Sequence, residues 1–176
     1  MIELKGDIWQ LAEPNDIICI TTNGFVKRDG GAVMGRGIAQ EAKIKFPGIE
    51  YRLGSAILNN GDFPALINDN PTIFSFPVKV ECLGTGIADR NHYLVSHMRG
   101  KFNDDEVIPG WALKAELSLI IQSAAALVSM LFLPPYDGRN VYLPRMGCGA
   151  GELSWNEVRE AVVPILRDDK FKVCSF

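Results

Sequence analysis

Cysteine is scarce and scattered in this chain: four residues in 176, at positions 19, 82, 148 and 174, with no Cys-x-x-Cys pair. Structural zinc sites and disulfide frameworks need closer or paired spacings. Two of the four lie inside apolar runs and read as buried, reduced thiols, which points to a reducing, cytoplasmic compartment. Histidine is scarcer still. His92 and His97 are the only two, and five positions apart they would not share one face of a helix, so no metal is expected. Long hydrophobic runs are missing as well. Residues 117–133 come nearest, but Gln122 and three serines interrupt them and Pro134-Pro135 ends them, so a buried helix fits better than a membrane span. The opening MIELKGDIWQ is too polar for a secretory leader. There is no Gly-x-Ser-x-Gly elbow and no Gly-Lys-Ser/Thr ending to a glycine loop, which removes the α/β-hydrolase serine and the P-loop. Neither sign of charge dominates. With 18 basic and 21 acidic side chains the net charge is −3, which argues against broad nonspecific nucleic-acid binding and leaves room for a local basic patch.

What is present is an alternation of strand and helix signals. Residues 2–5 read as a short strand. DIICITT (16–22) is a continuous apolar run bounded by turn residues, as expected of a central strand buried on both faces. Helices are expected over 34–46, 49–60, 111–133 and 154–167, the last opened by a Ser154…Glu157 capping-box pattern. Strands are expected over 65–68, 72–78, 140–143 and 172–176. This order implies an α/β sandwich whose ligands bind at the C-terminal ends of the strands, in one globular unit covering 1–176. Residues 80–110 break the pattern: about thirty positions of weak periodicity are either a functional lid or secondary structure with a faint signal. Within them RNHYLVSHMRGK (90–101) carries cations and no acid. It reads either as a rim for an anionic substrate or as a solvated loop balanced by Asp104, Asp105 and Glu106.

Two glycine-rich loops each follow a strand and open a helix: DGGAVMGRG (29–37) after DIICITT, and MGCGAG (146–151) after VYLP. Glycine at such a place offers backbone N–H groups to a closely approaching anion. Two such loops at one sheet edge could clamp a diphosphate from both sides. A dinucleotide-binding Rossmann unit fits poorly, because the first loop lacks the third glycine and the second lies too near the end of the sequence.

The order GDIW, DIICITTNG, GGAVMGRGIAQEAKIKFPG, FPVK, LPRMGCGAGELSW resembles the macro domain family over nearly the whole chain. The resemblance implies a three-layer α/β/α sandwich with a mixed central sheet that binds ADP-ribose. It is nearest to the lysine-dependent glycohydrolases that remove terminal ADP-ribose from protein carboxylates or DNA bases, and a short chain of this type also resembles members found in phage genomes. It further implies that Asp7 accepts from the adenine amino group, with the Ile8 backbone beside it, and that Phe176 stacks on the base. Gly30, Gly31, Ala32, Val33, Met34 and Gly35 would wrap the diphosphate and distal ribose from one side. Gly147, Cys148, Gly149, Ala150 and Gly151 would do so from the other. Lys79 would be the catalytic nucleophile and Asn23 a positioning residue near the distal ribose. On its residues alone Asp7 is a turn or cap residue, Asn23 a turn residue before Gly24, Phe176 a core aromatic and Lys79 a solvated charge.

One departure stands out. Gly151 holds the position of an aspartate in the carboxylate-specific enzymes, and Glu152 is displaced from it by one residue. The expected function is therefore an ADP-ribose-binding hydrolase acting on modified DNA or protein. A phosphatase for ADP-ribose-1″-phosphate and a non-catalytic ADP-ribose reader are the alternatives. No cofactor is expected beyond ADP-ribose as ligand or product, no membrane partner, and a monomer.

Overall fold

The apolar run DIICITT forms β2 (Ile17–Asn23), whose first four residues are all buried. Its alternating side chains separate two cores. Ile17 and Cys19 join one apolar cluster and Ile18 and Ile20 the other, as the two-residue period of a strand requires. The structure is a computed structural model and describes residues 1–175; the stacking role expected of Phe176 lies outside the described residues.

The other elements fall around this strand in chain order. They are β1 (Ile2–Lys5), α1 (Ile8–Leu11), α2 (Gly37–Lys45), α3 (Ile49–Asn60), β3 (Ala65–Asn68), β4 (Thr72–Lys79), β5 (Cys82–Leu83), β6 (Ile108–Pro109), α4 (Leu117–Leu131), β7 (Val141–Pro144), α5 (Trp155–Val162) and β8 (Phe171–Ser175). Six strands make one mixed sheet in the order β1-β8-β7-β2-β4-β3. All neighbours are parallel except β3 and β4. Helices α4 and α5 cover one face through Ile120, Leu127 and Val158 against Phe74, Phe76 and Val141. On the other face Ile8, Ala39, Ala42, Ile49 and Leu53 bring α1, α2 and α3 against Ile18, Ile20 and Ile73. Each fully buried aliphatic side chain contributes about 1.5–3 kcal/mol. The result is the expected three-layer α/β/α sandwich. No helix among the described residues is long and apolar enough to cross a membrane.

Four helix expectations need correction. The helix predicted from 34 starts at Gly37, because Met34 is buried in the core beneath an extended approach. The long helix predicted over 111–133 is confined to Leu117–Leu131. Upstream, the Ala115 and Glu116 N–H groups donate to Gly151 O and Val78 O, so this segment is committed to the sheet edge rather than to a helical turn. The helix predicted to reach 167 ends at Val162, two residues before Pro164, whose ring and missing N–H oppose continuation. Ser154 does stand at its N-cap, but its side chain makes no capping bond, so the capping box is not formed. Helix α1 is an addition: Asp7 caps it, Oδ1 accepting the Trp9 N–H at 3.0 Å.

Residues 80–110 are ordered by small devices of their own. β5 and β6 pair antiparallel, and Leu94, Ile108, Ala112 and Leu113 form a third apolar cluster. Arg90 is buried and donates to the carbonyls of Asn103 (2.6 Å) and Glu106. It is a strut of the insertion, not part of an anion-binding rim. The weak periodicity arose because these contacts lie between short turns rather than along one helix or strand.

Candidate functional site

The parallel strands β2, β4, β7 and β8 end on one side of the sheet, above which a cavity of about 920 Å³ opens. Its floor is set by a local irregularity. In β4 the side chains of Phe74, Phe76 and Val78 face α4, which sends Ser75, Pro77 and Lys79 to the opposite face. Pro77 has no N–H for the ladder; its carbonyl accepts from Ser123 Oγ at 2.8 Å. The pairing of β2 with β4 then skips Val78, so that Asn23 stands opposite Lys79. Such a bulge re-aims the side chains that follow it, and here it brings the two predicted catalytic residues side by side at the cavity.

Lys79 is only 7% exposed. Its Nζ donates to Ala150 O at 2.8 Å and reaches Trp111 O at 3.5 Å. Burial pushes its pKa down to about 8; the Glu152 carboxylate opposes the shift and the Arg36 guanidinium adds to it. About a tenth of the amine is thereby neutral at pH 7, a far larger fraction than an ordinary lysine offers, as a nucleophilic amine needs. The cavity's Cys148 differs: burial pushes its thiol up to about 11, so it is not a thiolate nucleophile at neutral pH.

Asn23 organises the first loop. Its Nδ2 donates to Val33 O at 2.9 Å while its Oδ1 accepts the Phe25 N–H at 3.1 Å. Between these anchors the chain makes a narrow hairpin with a Val26–Ala32 bridge. The structure brings Val33 and Gly35 to the cavity, together with Arg36 and Gly37 of the helix entry. It does not bring Gly30, Gly31, Ala32 or Met34 to the lining. Ala32 and Met34 are buried in the core beneath. The Gly30–Gly31 tip bends over α3, where a Cβ on Gly54 would collide with the Gly30 carbonyl. Gly54 is thus glycine because the tip comes close, whereas a Cβ on Gly30 would meet nothing within 4 Å and its φ of 81° is what favours glycine there.

The second loop reaches the cavity: Gly147, Cys148, Gly149, Ala150 and Gly151 all line it. Gly147 adopts φ of 72°, and its carbonyl accepts the Leu153 N–H. A side chain at Gly151 would meet Ala115 Cβ at 2.6 Å and the Gly147 carbonyl. Among the described residues the N–H groups of Gly149, Ala150 and Gly151 have no protein acceptor, nor do those of Gly35 and Arg36. Facing N–H groups of this kind, one set beside the N-terminus of α2, suit an anion. Ile8 lines the cavity, while Asp7 itself does not; its Oδ1 is used by the α1 cap. Among the described residues no cluster of three or more His, Cys, Asp or Glu could hold a metal ion.

Sequence reasoning missed Trp111 and Trp155 as lining residues. The insertion does reach the site through His97, Met98 and Lys101, part of the stretch singled out as a rim. It is fastened there by Glu152, whose carboxylate accepts from Ser96 N (2.7 Å) and Ser96 Oγ (2.9 Å). Those bonds, the backbone one first, hold the Glu152 pKa below the usual carboxylate range.

No family model and no curated protein matches the chain. Solved structures do. The macrodomain of Mycobacterium tuberculosis DarG superposes with a TM-score of 0.66 at 17% identity, covering 99% of this chain and 97% of that one. The macrodomain of Thermus aquaticus DarG gives 0.62 at 18%, with 98% and 95% covered. Thermosipho africanus DarTG in complex with ADP-ribose gives 0.63 at 16%, over 98% of this chain and 41% of that one. At such identities the likeness is one of architecture: the chain has the macrodomain fold.

Proposed function

We propose that this chain binds ADP-ribose in the cavity and hydrolyses an ADP-ribosyl group from a modified macromolecule, with Lys79 as nucleophile. The observation that carries this reading is a buried lysine of depressed pKa at the floor of the cavity, between two loops with free backbone N–H groups. The likeness to a macrodomain solved with ADP-ribose supports the choice of ligand. The diphosphate lies between the N–H groups of Gly35–Arg36 and Gly149–Gly151, with the distal ribose over Lys79 and Asn23. The adenine lies toward Ile8, next to the α1 cap that Asp7 makes at the cavity's margin.

In the reaction the lone pair of neutral Lys79 Nζ forms a bond to the anomeric carbon of the distal ribose. The bond from that carbon to the acceptor breaks, and the acceptor departs with the electron pair and takes up a proton. Water then adds to the lysyl adduct, releasing ADP-ribose and restoring the amine. Asn23, fixed by Val33 O and Phe25 N, holds the first loop against the sugar. Gly151 leaves no side chain to assist a carboxylate-linked adduct, which favours an acceptor on DNA over a protein carboxylate. The chain acts as one macro domain, 1–176, as a cytoplasmic monomer.

The bond from Lys79 Nζ to Ala150 O supports a second reading, in which Lys79 is a strut and the protein a non-catalytic ADP-ribose reader. The deciding experiment combines ADP-ribose calorimetry with release assays on ADP-ribosylated single-stranded DNA and on carboxylate-modified protein, for wild type and Lys79→Ala. Release that disappears in Lys79→Ala supports the hydrolase. Affinity without release from either adduct leaves the reader. Phosphate release from ADP-ribose-1″-phosphate that survives Lys79→Ala would instead identify a phosphatase.

A further inference from the structure

Beside the main cavity lies a second chamber of about 470 Å³, lined by Arg36, Gly37, Gln40, His97, Ala150 and Glu152, with Gly149 at its edge. Arg36, Gly37, His97, Gly149 and Ala150 belong to both cavities. The shared wall includes Ala150, whose carbonyl accepts from Lys79 Nζ. A group joined to the sugar carbon attacked by Lys79 therefore has an adjoining space open to it beyond the first loop.

The polar character of this chamber is one-sided. Glu152 is its acid, and both its oxygens are taken by Ser96. Glu152 holds φ of 61°, a left-handed conformation that a non-glycine side chain adopts at a cost of about 1–2 kcal/mol. Its carboxylate is thus turned to the insertion and spent there. Among the described residues Arg36, Gln40 and His97 have no side-chain hydrogen bond or ion pair within the protein. Exposed Lys101 lines the main cavity on the same rim as His97. A guanidinium fork, an amide and an imidazole with free donors match phosphate oxygens, the guanidinium in bidentate fashion.

We infer that this side chamber receives the acceptor strand of the substrate, a phosphodiester chain that Arg36, Gln40 and His97 hold by its phosphate oxygens. The inference rests on the reading of the main cavity as an ADP-ribose site. Gln40 lines the side chamber alone, on an exposed position of α2, so it probes the chamber without touching the ADP-ribose cavity.

The test uses Lys79→Ala protein, in which the substrate is not consumed, titrated with free ADP-ribose and with an ADP-ribosylated single-stranded decanucleotide. The adduct is expected to bind about tenfold tighter than ADP-ribose. Adding Gln40→Glu removes most of that increment and Gln40→Lys enlarges it, while affinity for free ADP-ribose is the same in both. The increment also shrinks with rising salt, as phosphate contacts require. Equal affinity for adduct and ADP-ribose overturns the proposal, as does an increment unaffected by either charge change. So does an increment found for an ADP-ribosylated peptide and not for the oligonucleotide. Failure of free ADP-ribose to bind at all defeats the underlying reading, and the same titration shows it separately.

Discussion

Lys79 Nζ and the Ala150 carbonyl oxygen lie 2.8 Å apart, which ties the end of β4 to the second glycine loop across the cavity floor. Under the proposed function, the amine that attacks the sugar is thus held by the loop that binds the diphosphate. On that reading ligand binding and nucleophile placement are coupled through that one bond.

The first consequence is kinetic. Lys79→Ala is expected to lower ADP-ribose release by about a thousandfold, about 4 kcal/mol of barrier, with ADP-ribose affinity changed little. In wild type, release should rise with pH and level off above a midpoint near the Lys79 pKa of about 8. A rate independent of pH between 6 and 9 contradicts the assignment.

The same burial has a signature in stability. The folded pKa of Lys79 is below its unfolded value, so the unfolded chain binds more protons and folding is penalised at neutral pH. That penalty is full below about 8 and is lifted as pH rises from there toward 10.5. Relative to Lys79→Met, wild type should gain about 2–3 kcal/mol of unfolding free energy between pH 7 and pH 10. Urea melts at the two pH values measure it.

Two charges bias Lys79 in opposite directions, and their removal should move the pH–rate midpoint in opposite directions. Glu152→Gln takes away a negative neighbour and shifts the midpoint down; Arg36→Ala takes away a positive one and shifts it up. Glu152→Gln also loosens the bonds to Ser96, so limited proteolysis within residues 80–110 should speed up. Shifts of the same sign in both variants would show that the charges do not act on Lys79.

Gly151 and Gly149 stand two residues apart and should respond differently to substitution. Gly151→Asp, which supplies the acid of related enzymes, places its Cβ 2.6 Å from Ala115 Cβ and should cost about 1–3 kcal/mol by overpacking. A Cβ on Gly149 meets nothing within 4 Å, so Gly149→Ala should melt close to wild type. Thermal denaturation of the two variants compares them directly.

The layers and the sheet were legible in the sequence because the strands carry strong local signals: DIICITT needs no tertiary context to read as a buried strand. Residues 49–60 were matched to the residue as α3, since Pro47-Gly48 and Asn60-Gly61 punctuate both ends. The site was legible less evenly. Residues 147–151 line the cavity throughout, while Met146 is buried in the core; in DGGAVMGRG only the later part lines it, because the Gly30–Gly31 tip is drawn over α3 with the Gly30 carbonyl against Gly54. No local pattern announces such a contact. The start of α4 was misplaced for the same reason, its preceding N–H groups being claimed by Val78 and Gly151. Trp111 was invisible because it reaches the cavity from the segment that closes an insertion whose shape depends on the buried guanidinium of Arg90.

That insertion leaves the sheet directly after Lys79 and returns just before α4, so both its attachment points sit at the cavity. It also has a small core of its own in Leu94, Ile108, Ala112 and Leu113. Under the proposed function, substrate preference therefore diverges by exchanging residues 80–113 as a unit, while the sheet, the lysine and the two loops stay as they are. On that reading a new target rewrites one replaceable cover rather than the site beneath it.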